Sequence, residues 1–490
     1  MEQTAPITQE GTLYEKLAEA IRQQIDAGSF RAGERIPSVR ESSQGRGLSM
    51  TTVLQAYRLL EDQGVLEARP QSGYYVRPRP SGRPPEPELS APPLDPTRIS
   101  MADLYDRLSR DARDPTLAQL GVALPAPELL PTAQLKRQVM AAAREFDRYA
   151  NVCGIAEGCE ELRAPIAQRA FRLGLNLSPQ DLLITNGCTE AMNLALRLVC
   201  RPGDLVAIES PTYFGILQVL AAQGLKVIEI PTHHRTGINL EALRSALDHH
   251  AIRACLFAPN FSNPLGSCMP DEAKAELVKL LARREIPLIE DDLGGDLYFT
   301  GPRPKPALAF DQKGLVLYCT SFSKDISPNY RVGWLAPGRF LKPALYLKRT
   351  LNVGTAILPQ LAIARFLANG GYDAHLRKIR RAYQQKVAQM SQSILRYFPS
   401  GTRLTEPNGG FVLWVQLPQN VDALEVYDLA LKRGITLAPG HLFSPTPKYR
   451  NFIRLNAAYW SDEHDRAVRQ VGDLVQDLAA RKVRRPRSAG

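Results

Sequence analysis

Residues 316–334 read VLYCTSFSKDISPNYRVGW. An apolar run ends in hydroxyl side chains and then a lysine, Lys324, with an arginine, Arg331, seven residues further on. A short run of this kind, bounded by polar residues, suits a buried strand that delivers its last side chains to the carboxyl edge of a sheet. Open α/β sheets bind their ligands along that edge. Five more runs of the same character lie at LLIT (182–185), LVAIE (205–209), KVIEI (226–230), ACLFA (254–258) and PLIED (287–291), with amphipathic helical stretches between them. The alternation predicts an α/β domain whose mostly parallel sheet is covered on both faces.

The polar residues that close these runs form a chemically coherent set. An amine such as that of Lys324 is nucleophilic when partly desolvated, and Arg331 with Ser321 suits a phosphate held beside it. Asn186-Gly-Cys-Thr-Glu190 follows LLIT and opens the helix AMNLALRLV, so the amides of Gly187, Cys188 and Thr189 face outward at a helix N-terminus, where anions bind. Glu290-Asp-Asp292 ends PLIED; Asp291 suits a carboxylate that pairs with a cationic ring nitrogen, while a solvated acidic loop or a magnesium site are the other readings of the triplet. Tyr213, in Glu209-Ser-Pro-Thr-Tyr, suits a ring-stacking residue, and Asn263, in Asn-Pro-Leu-Gly, a hydrogen-bond partner. Taken singly each has a plain reading: a lysine among serines is commonly solvated, and many strand–glycine–helix junctions are only turns. The weight lies in the ensemble.

From about 115 to 475 the chain resembles the fold-type I aminotransferases, with TNGCTEA, ESPTYFG, PNFSNPLG, IEDD, SFSK with YRVGW, and PNGGFVLW in the family's order. The resemblance implies a large domain with a mostly parallel sheet, a smaller C-terminal α+β domain, and pyridoxal 5′-phosphate as cofactor. It further implies Lys324 as the Schiff-base lysine, Asp291 as partner of the pyridine nitrogen, Tyr213 stacked on the ring and Asn263 on the ring hydroxyl. Gly187, Cys188, Thr189, Ser321 and Arg331 become the phosphate cup. Arg454, in Phe-Ile-Arg-Leu-Asn, becomes the clamp for a substrate carboxylate, a planar anion that a guanidinium fork matches. One position departs: three residues after Asp291 the family carries a tyrosine that donates to the ring hydroxyl, and here stands Gly294. Tyr298 is the nearest tyrosine, and the sequence leaves open whether it substitutes.

Ahead of this body lies a different pattern. Thr12-Leu-Tyr-Glu15 and Ser38-Val-Arg-Glu41 are capping boxes, and apolar residues at Leu13, Leu17, Ile21 and Ile25 form one helical face. Ser49 suits the cap of a third helix, MTTVLQAYRLLEDQG, ending at Gly64. LEAR and YYVR then flank the turn Pro70-Gln-Ser-Gly73. Helix, short helix, helix and two-stranded ribbon is the order of a winged helix-turn-helix, whose third helix enters the major groove; a helical module that binds another protein is the bland alternative. Residues 11–77 resemble the GntR family of bacterial repressors. The resemblance implies DNA contacts at Arg40, Thr51 and Thr52, with Ser72 and Gly73 at the wing tip. Met50 stands where that family usually has an arginine.

Eight prolines between Pro78 and Pro96 predict a semi-rigid spacer. The expected organisation is a head at 11–77, a linker at 78–109 and a body at 110–490. Residues 1–100 carry about as many acids as bases although the chain's net charge is +11, so DNA would be met by a local face and not by bulk charge. The basic tail ARKVRRPRSAG reads first as a solvated end. Seven cysteines include no C-x-x-C pair, which argues against a disulfide framework or zinc ribbon and for a reducing cytoplasm. The first ten residues read as no secretory leader, and no apolar run suits a membrane span. His233-His234 and His249-His250 lack a carboxylate or cysteine frame, so no metal is expected.

Together the halves resemble the MocR subgroup of GntR regulators. That resemblance implies a cytoplasmic homodimeric transcription factor that binds double-stranded promoter DNA and senses a small amino compound, or pyridoxal phosphate itself, in an aminotransferase-like body. A working aminotransferase with an accessory DNA-binding head is the alternative; Gly294 and the intact head weigh against it.

Overall fold

The computed structural model describes residues 12–31, 33–62, 65–69, 72–76, 84–89, 91–99, 102–149 and 155–483. The chain divides into two compact units at Arg83/Pro84.

The first unit contains α1 (Leu13–Asp26), α2 (Val39–Arg46), α3 (Met50–Asp62), β1 (Leu66–Arg69) and β2 (Gly73–Val76). Both capping boxes form, at Thr12/Glu15 and Ser38/Glu41, and the Ser49 hydroxyl accepts the Thr52 amide at 3.1 Å. Each satisfies an amide that the first helical turn leaves without a partner. Leu17 and Ile21 of α1, Val53, Ala56 and Leu60 of α3, and Leu66 and Val76 of the ribbon close one core. Tyr57 joins α3 to α2: its hydroxyl donates to the Pro37 carbonyl at 2.7 Å and lies 2.6 Å from the Ser42 hydroxyl. The ribbon is antiparallel, Leu66 opposite Val76 and Arg69 opposite Gly73. The third helix is described only to Asp62, so its expected end at Gly64 lies outside the described residues, as does the basic tail beyond Val483.

The second unit is built on an eight-stranded sheet. Its strands, in chain order with the two helices that matter here, are β3 (Leu183–Thr185), α5 (Cys188–Val199), β4 (Leu205–Ser210), β5 (Lys226–His233), β6 (Gly237–Ile238), β7 (Ile252–Phe257), β8 (Leu288–Asp291), β9 (Val316–Ser321) and β10 (Gly333–Ala336); α4 (Glu160–Arg172) precedes β3. The spatial order is β3-β10-β9-β8-β7-β4-β5-β6. The run from β9 through β8, β7 and β4 to β5 is parallel, and β10 enters antiparallel between β9 and β3. All six runs read from the sequence are strands; β10 was not anticipated. It is short, and Gly333 and Trp334 break the apolar pattern. Gly333 is required there, because a Cβ would sit 2.6 Å from both the Gly187 carbonyl carbon and the Thr320 oxygen.

Two apolar layers cover the sheet. One gathers α5 with Val206, Ile208, Ile289, Leu317 and Cys319; the other gathers Ala207, Ile228, Cys255, Leu288 and Val316. Alternate residues of each strand go to opposite layers, as the two-residue strand period demands. A long helix, α6 (Gly371–Tyr397), leads into a smaller sheet of Arg403–Leu404, Val412–Gln416, Phe452–Asn456 and Ala438–Pro439, the expected C-terminal α+β part.

The proline-rich segment is packed on this unit from Pro84 on. Glu86 pairs with His234 and Arg235, Pro85 accepts the Leu404 amide at 3.0 Å, and Thr97 bridges to Val227. Leu94 and Ile99 rest against the two layers. Residues 77–83 lie outside the described residues. Among the described residues no helix is long and apolar enough to cross a membrane.

Candidate functional site

Beyond the carboxyl ends of β4, β7, β8 and β9 lies a cavity of about 260 Å³ whose walls include Cys188, Thr189, Tyr213, Asn263, Asp291, Ser321, Lys324 and Arg331. Eight of the ten residues read from the sequence for this site thus share one space. The other two stand directly behind it. Gly187 (φ +79°) caps α5, and a Cβ there would run into the Arg331 guanidinium, so glycine is what allows that guanidinium over the start of the helix. Arg454 is fully buried; its Nη1 donates to Asn263 Oδ1 at 3.3 Å, and its Nη2 donates to the Gly121 carbonyl.

Burial holds the Lys324 amine at a pKa of about 8, well below the ordinary lysine value; the Arg454 charge depresses it further, and Asp291 opposes the shift. Its Nζ donates to the Ala123 carbonyl at 2.5 Å. Burial also raises the Asp291 carboxyl to about 6, against the opposing bonds it accepts from the Leu293 amide at 3.1 Å and the Cys188 thiol at 3.6 Å. Burial drives the Cys188 thiol well above its usual value, and neighbouring Asp291 adds to the shift. Tyr213 is pushed up to about 12 by burial, so its phenol is neutral across the physiological range.

The anion-facing end is braced from behind. Arg331, itself in the left-handed region (φ +53°), donates to the Asn186 carbonyl at 2.9 Å and the Pro328 carbonyl at 3.2 Å. The Asn186 amide donates to Glu190. Glu190 in turn accepts from buried Lys348 at 3.1 Å and from Asn352 at 2.5 Å. Ser321 and Ser323 hydroxyls lie 2.9 Å apart on the same rim. The first amides of α5 have no acceptor within the helix, which makes this corner a ready anion seat.

The two aspartates of the IEDD motif part company. Asp292 is fully buried on the other side of the segment, where it accepts from Arg303 at 2.5 Å, Tyr318 at 2.7 Å and Asn260 at 2.8 Å. Gly294 lines the cavity, and its backbone (φ −92°) suits any L-residue, although a Cβ would stand only 3.2 Å from the Phe261 carbonyl. Tyr298 does not take its place. Its hydroxyl accepts from Arg380 at 2.8 Å, the Arg380 guanidinium lies 3.8 Å over its ring, and it lines a different cavity.

Two features went unread. Glu209, inside the quoted ESPTY, lines the cavity with its pKa raised by burial to about 8, and accepts the Ala258 amide at 3.1 Å; its charged type within an otherwise apolar strand was the available signal. Ala123 and Gly121 act through carbonyl oxygens, and their side chains carry no trace of it.

In the first unit, Arg40 lies exposed in the first turn of α2, and Thr51 exposed in the first turn of α3. Thr52 is half-buried, its hydroxyl 2.8 Å from that of Ser49. Met50 is exposed at the same helix start. At the ribbon turn, the Ser72 hydroxyl is 2.6 Å from the Tyr75 hydroxyl and Gly73 has φ +101°. Arg69 stacks over the Tyr75 ring at 4.3 Å, adding a base to the ribbon that the sequence reading did not single out.

A reading head and a coenzyme-type body in one chain define a regulator class, and similarity to known proteins identifies it. Residues 127–471 match the model for aminotransferase class I and II, and residues 13–76 that for the bacterial regulatory proteins of the gntR family. The chain is 38% identical over 469 residues to the uncharacterized HTH-type transcriptional regulator YdcR of Escherichia coli (strain K12), covering 95% of this chain and 99% of that one. Among solved structures it is similar to the multiple substrate aminotransferase of Thermococcus profundus (26% identity, TM-score 0.72, 78% of this chain and 96% of that one). It is also similar to LysN, the alpha-aminoadipate aminotransferase of Thermus thermophilus, solved with N-(5′-phosphopyridoxyl)-L-leucine (28%, TM-score 0.71, 78% and 96%). The chain belongs to the HTH-type transcriptional regulators of MocR architecture: a GntR DNA-binding head on an aminotransferase class I and II body, a fold family that depends on pyridoxal phosphate.

Proposed function

We propose that this protein is a cytoplasmic transcription regulator that holds pyridoxal 5′-phosphate on Lys324 and responds to a small amino compound entering the same cavity. The observation that carries the reading is the convergence of a partly neutral buried amine, a buried carboxylate and an arginine-covered helix start around one space, in a chain that also bears a GntR head. The residues fit the coenzyme. The α5 amides of Cys188 and Thr189, the Ser321 hydroxyl and Arg331 would hold its phosphate, with Gly187 giving the arginine room. Asp291 would face the ring nitrogen, Tyr213 would cover the ring and Asn263 would meet its hydroxyl. LysN, with its phosphopyridoxyl-leucine, supports the pairing of coenzyme and amino acid in such a body.

The coenzyme supplies an aldehyde carbon that condenses with amines and a ring that withdraws electrons from it. The protein's part is electrostatic. Burial keeps about a tenth of the Lys324 amine neutral at pH 7, and Asp291 in its anionic form favours a protonated ring nitrogen. Arg454 spends one fork nitrogen on the acceptor side of Asn263, leaving that amide's N–H side for a ring hydroxyl. Its Nε has no partner among the described residues, and a buried unsatisfied donor costs about 1–3 kcal/mol, which an entering carboxylate offsets.

In this reading residues 11–77 read double-stranded DNA through Arg40, Thr51, Thr52, Ser72 and Gly73, and the body spans 110–490 with the strap from Pro84 laid on it. A homodimer would present two heads to paired half-sites. A ligand shifts the regulator only by as much as its affinity differs between two arrangements. Gly294 and the displacement of Tyr298 to another cavity favour sensing over sustained transamination, because no phenol at the family's position supports the ring hydroxyl. The test is to add pyridoxal phosphate to purified protein, trap one portion with borohydride, and titrate an unreduced portion with amino acids and amines in the presence of promoter DNA. A yellow band absent in Lys324→Ala, and a footprint changed by one amine, are expected. A colourless, untrappable protein would overturn the coenzyme half; turnover of amino and 2-oxo acids with a footprint indifferent to every amine would favour the enzyme.

A further inference from the structure

Strand β9 and the turn that follows it alternate between two spaces. Ser321, Ser323 and Lys324 line the cavity described above, whereas Tyr318, Thr320 and Phe322 line a second one of about 380 Å³. The segment after β8 does the same: Asp291, Leu293 and Gly294 face the first, Asp296 and Tyr298 the second. The second cavity is closed on its far side by α4 and α6, and it falls within the size range of small-molecule sites.

Its charge is unbalanced. Arg169, Arg172, Arg303, Arg377 and Arg380 line it against Asp296 and Asp373. Arg303 is satisfied by Asp292 and Asp296. Arg380 gives Nε to the Asp296 carbonyl at 2.6 Å and Nη1 to Tyr298. The outer three guanidiniums are less fully matched: Arg169 pairs with Asp373, stacks over the Tyr372 ring at 4.4 Å and feels the Asp296 charge, Arg172 reaches Asp373 at 3.5 Å, and Arg377 makes no hydrogen bond or ion pair among the described residues. Beneath them Phe322 and Trp334 form an aromatic wall, their rings 4.9 Å apart. A solvated basic surface would need no such aromatic wall.

We propose that this space is a second ligand site, for a small oxyanion of two or more negative charges, a polycarboxylate or a phosphorylated molecule. Arg169, Arg172 and Arg377 hold its charged groups, and its body lies on Trp334. Planar guanidinium forks are the groups that bind carboxylate and phosphate oxygens in pairs. A ligand here touches the reverse side of the two segments that carry Lys324 and Asp291, so the site is placed to bias the first cavity.

The test uses the full chain carrying Arg331→Ala, which disables the first cavity's anion seat. Citrate and inorganic phosphate are titrated calorimetrically, each against sodium chloride of equal ionic strength. Saturable binding of one anion per chain by either probe is expected, and the probe that binds tells carboxylate from phosphate chemistry. Adding Arg172→Ala and Arg377→Ala, both at exposed positions, weakens it at least tenfold, the loss of one charge-assisted contact or more. Binding no stronger than the salt control, or binding untouched by the two added substitutions, overturns the proposal. So does loss of binding in Lys324→Ala, which would place the anion in the first cavity. Because no coenzyme is needed, failure here is separate from failure of the regulatory reading.

Discussion

Asp291 and Asp292 are consecutive residues that serve different spaces: Asp291 lines the Lys324 cavity, and Asp292 locks Arg303, Tyr318 and Asn260 behind it. Their substitutions should separate cleanly. Asp292→Asn leaves the Arg303 guanidinium, only 8% exposed, buried without full compensation, and should lower stability by about 3–5 kcal/mol. Asp291→Asn should fold well and bind pyridoxal phosphate poorly. Denaturant melts and a coenzyme titration of both variants decide it; equal stabilities would refute the division.

The raised pKa of Asp291, about 6 against an ordinary 3.8, has a definite sign. The fold favours the protonated acid, so this contribution is fully present below about 3.8 and lost as pH rises through about 6. The loss approaches 3 kcal/mol. In coenzyme-free protein, Asp291→Asn should match the wild type near pH 4 and exceed its stability at pH 7. Parallel stability curves across that window would contradict the burial argument.

Lys324 offers a kinetic check. With its pKa near 8 instead of 10.5, the rate at which the yellow band forms should climb with pH and level off just above 8. Stopped-flow mixing with pyridoxal phosphate measures it, and a profile still rising steeply at pH 10 would mean that the amine is not desolvated.

Gly187→Ala imposes a positive φ on an L-residue and drives a methyl into Arg331. A cost of about 1–3 kcal/mol is expected from the backbone strain, with a larger loss in coenzyme affinity than in folding. Normal coenzyme binding in this variant would remove Arg331 from the anion seat.

For the head, Arg40→Ala should weaken DNA binding at all sequences and flatten the salt dependence by about one unit of slope, leaving the coenzyme band untouched. Thr51→Ala should weaken binding with little effect on that slope. Tyr57→Phe, which severs the α2–α3 link, should cost about 1 kcal/mol of head stability. Footprinting over a salt series separates these effects.

Much of the molecule was readable in its sequence because the signals were local. Six strands announced themselves as apolar runs between turns, and the caps at Thr12, Ser38 and Ser49 followed from residue type and spacing. Side chains that end strands were found for the same reason. What escaped depends on tertiary approach. β10 is too short and too glycine-marked to show a period, and the burial of Arg454, a residue named through the family resemblance, follows only from the pairing of its strand beside Trp414. The carbonyls of Gly121 and Ala123 leave no residue-type trace. Glu190 was quoted for its neighbours, while its role as a brace needed Lys348, which is 158 positions away in the chain.

Cys188 adds a last point. With the proposed coenzyme in this cavity, a thiol in its wall would be a chemical hazard, since thiolates add to aldehydes and would divert the coenzyme into a dead-end adduct. Buried beside a carboxylate and donating to it, this sulfur stays protonated and unreactive. In the proposed reading, a small polarisable side chain could then sit in the cup without poisoning the coenzyme.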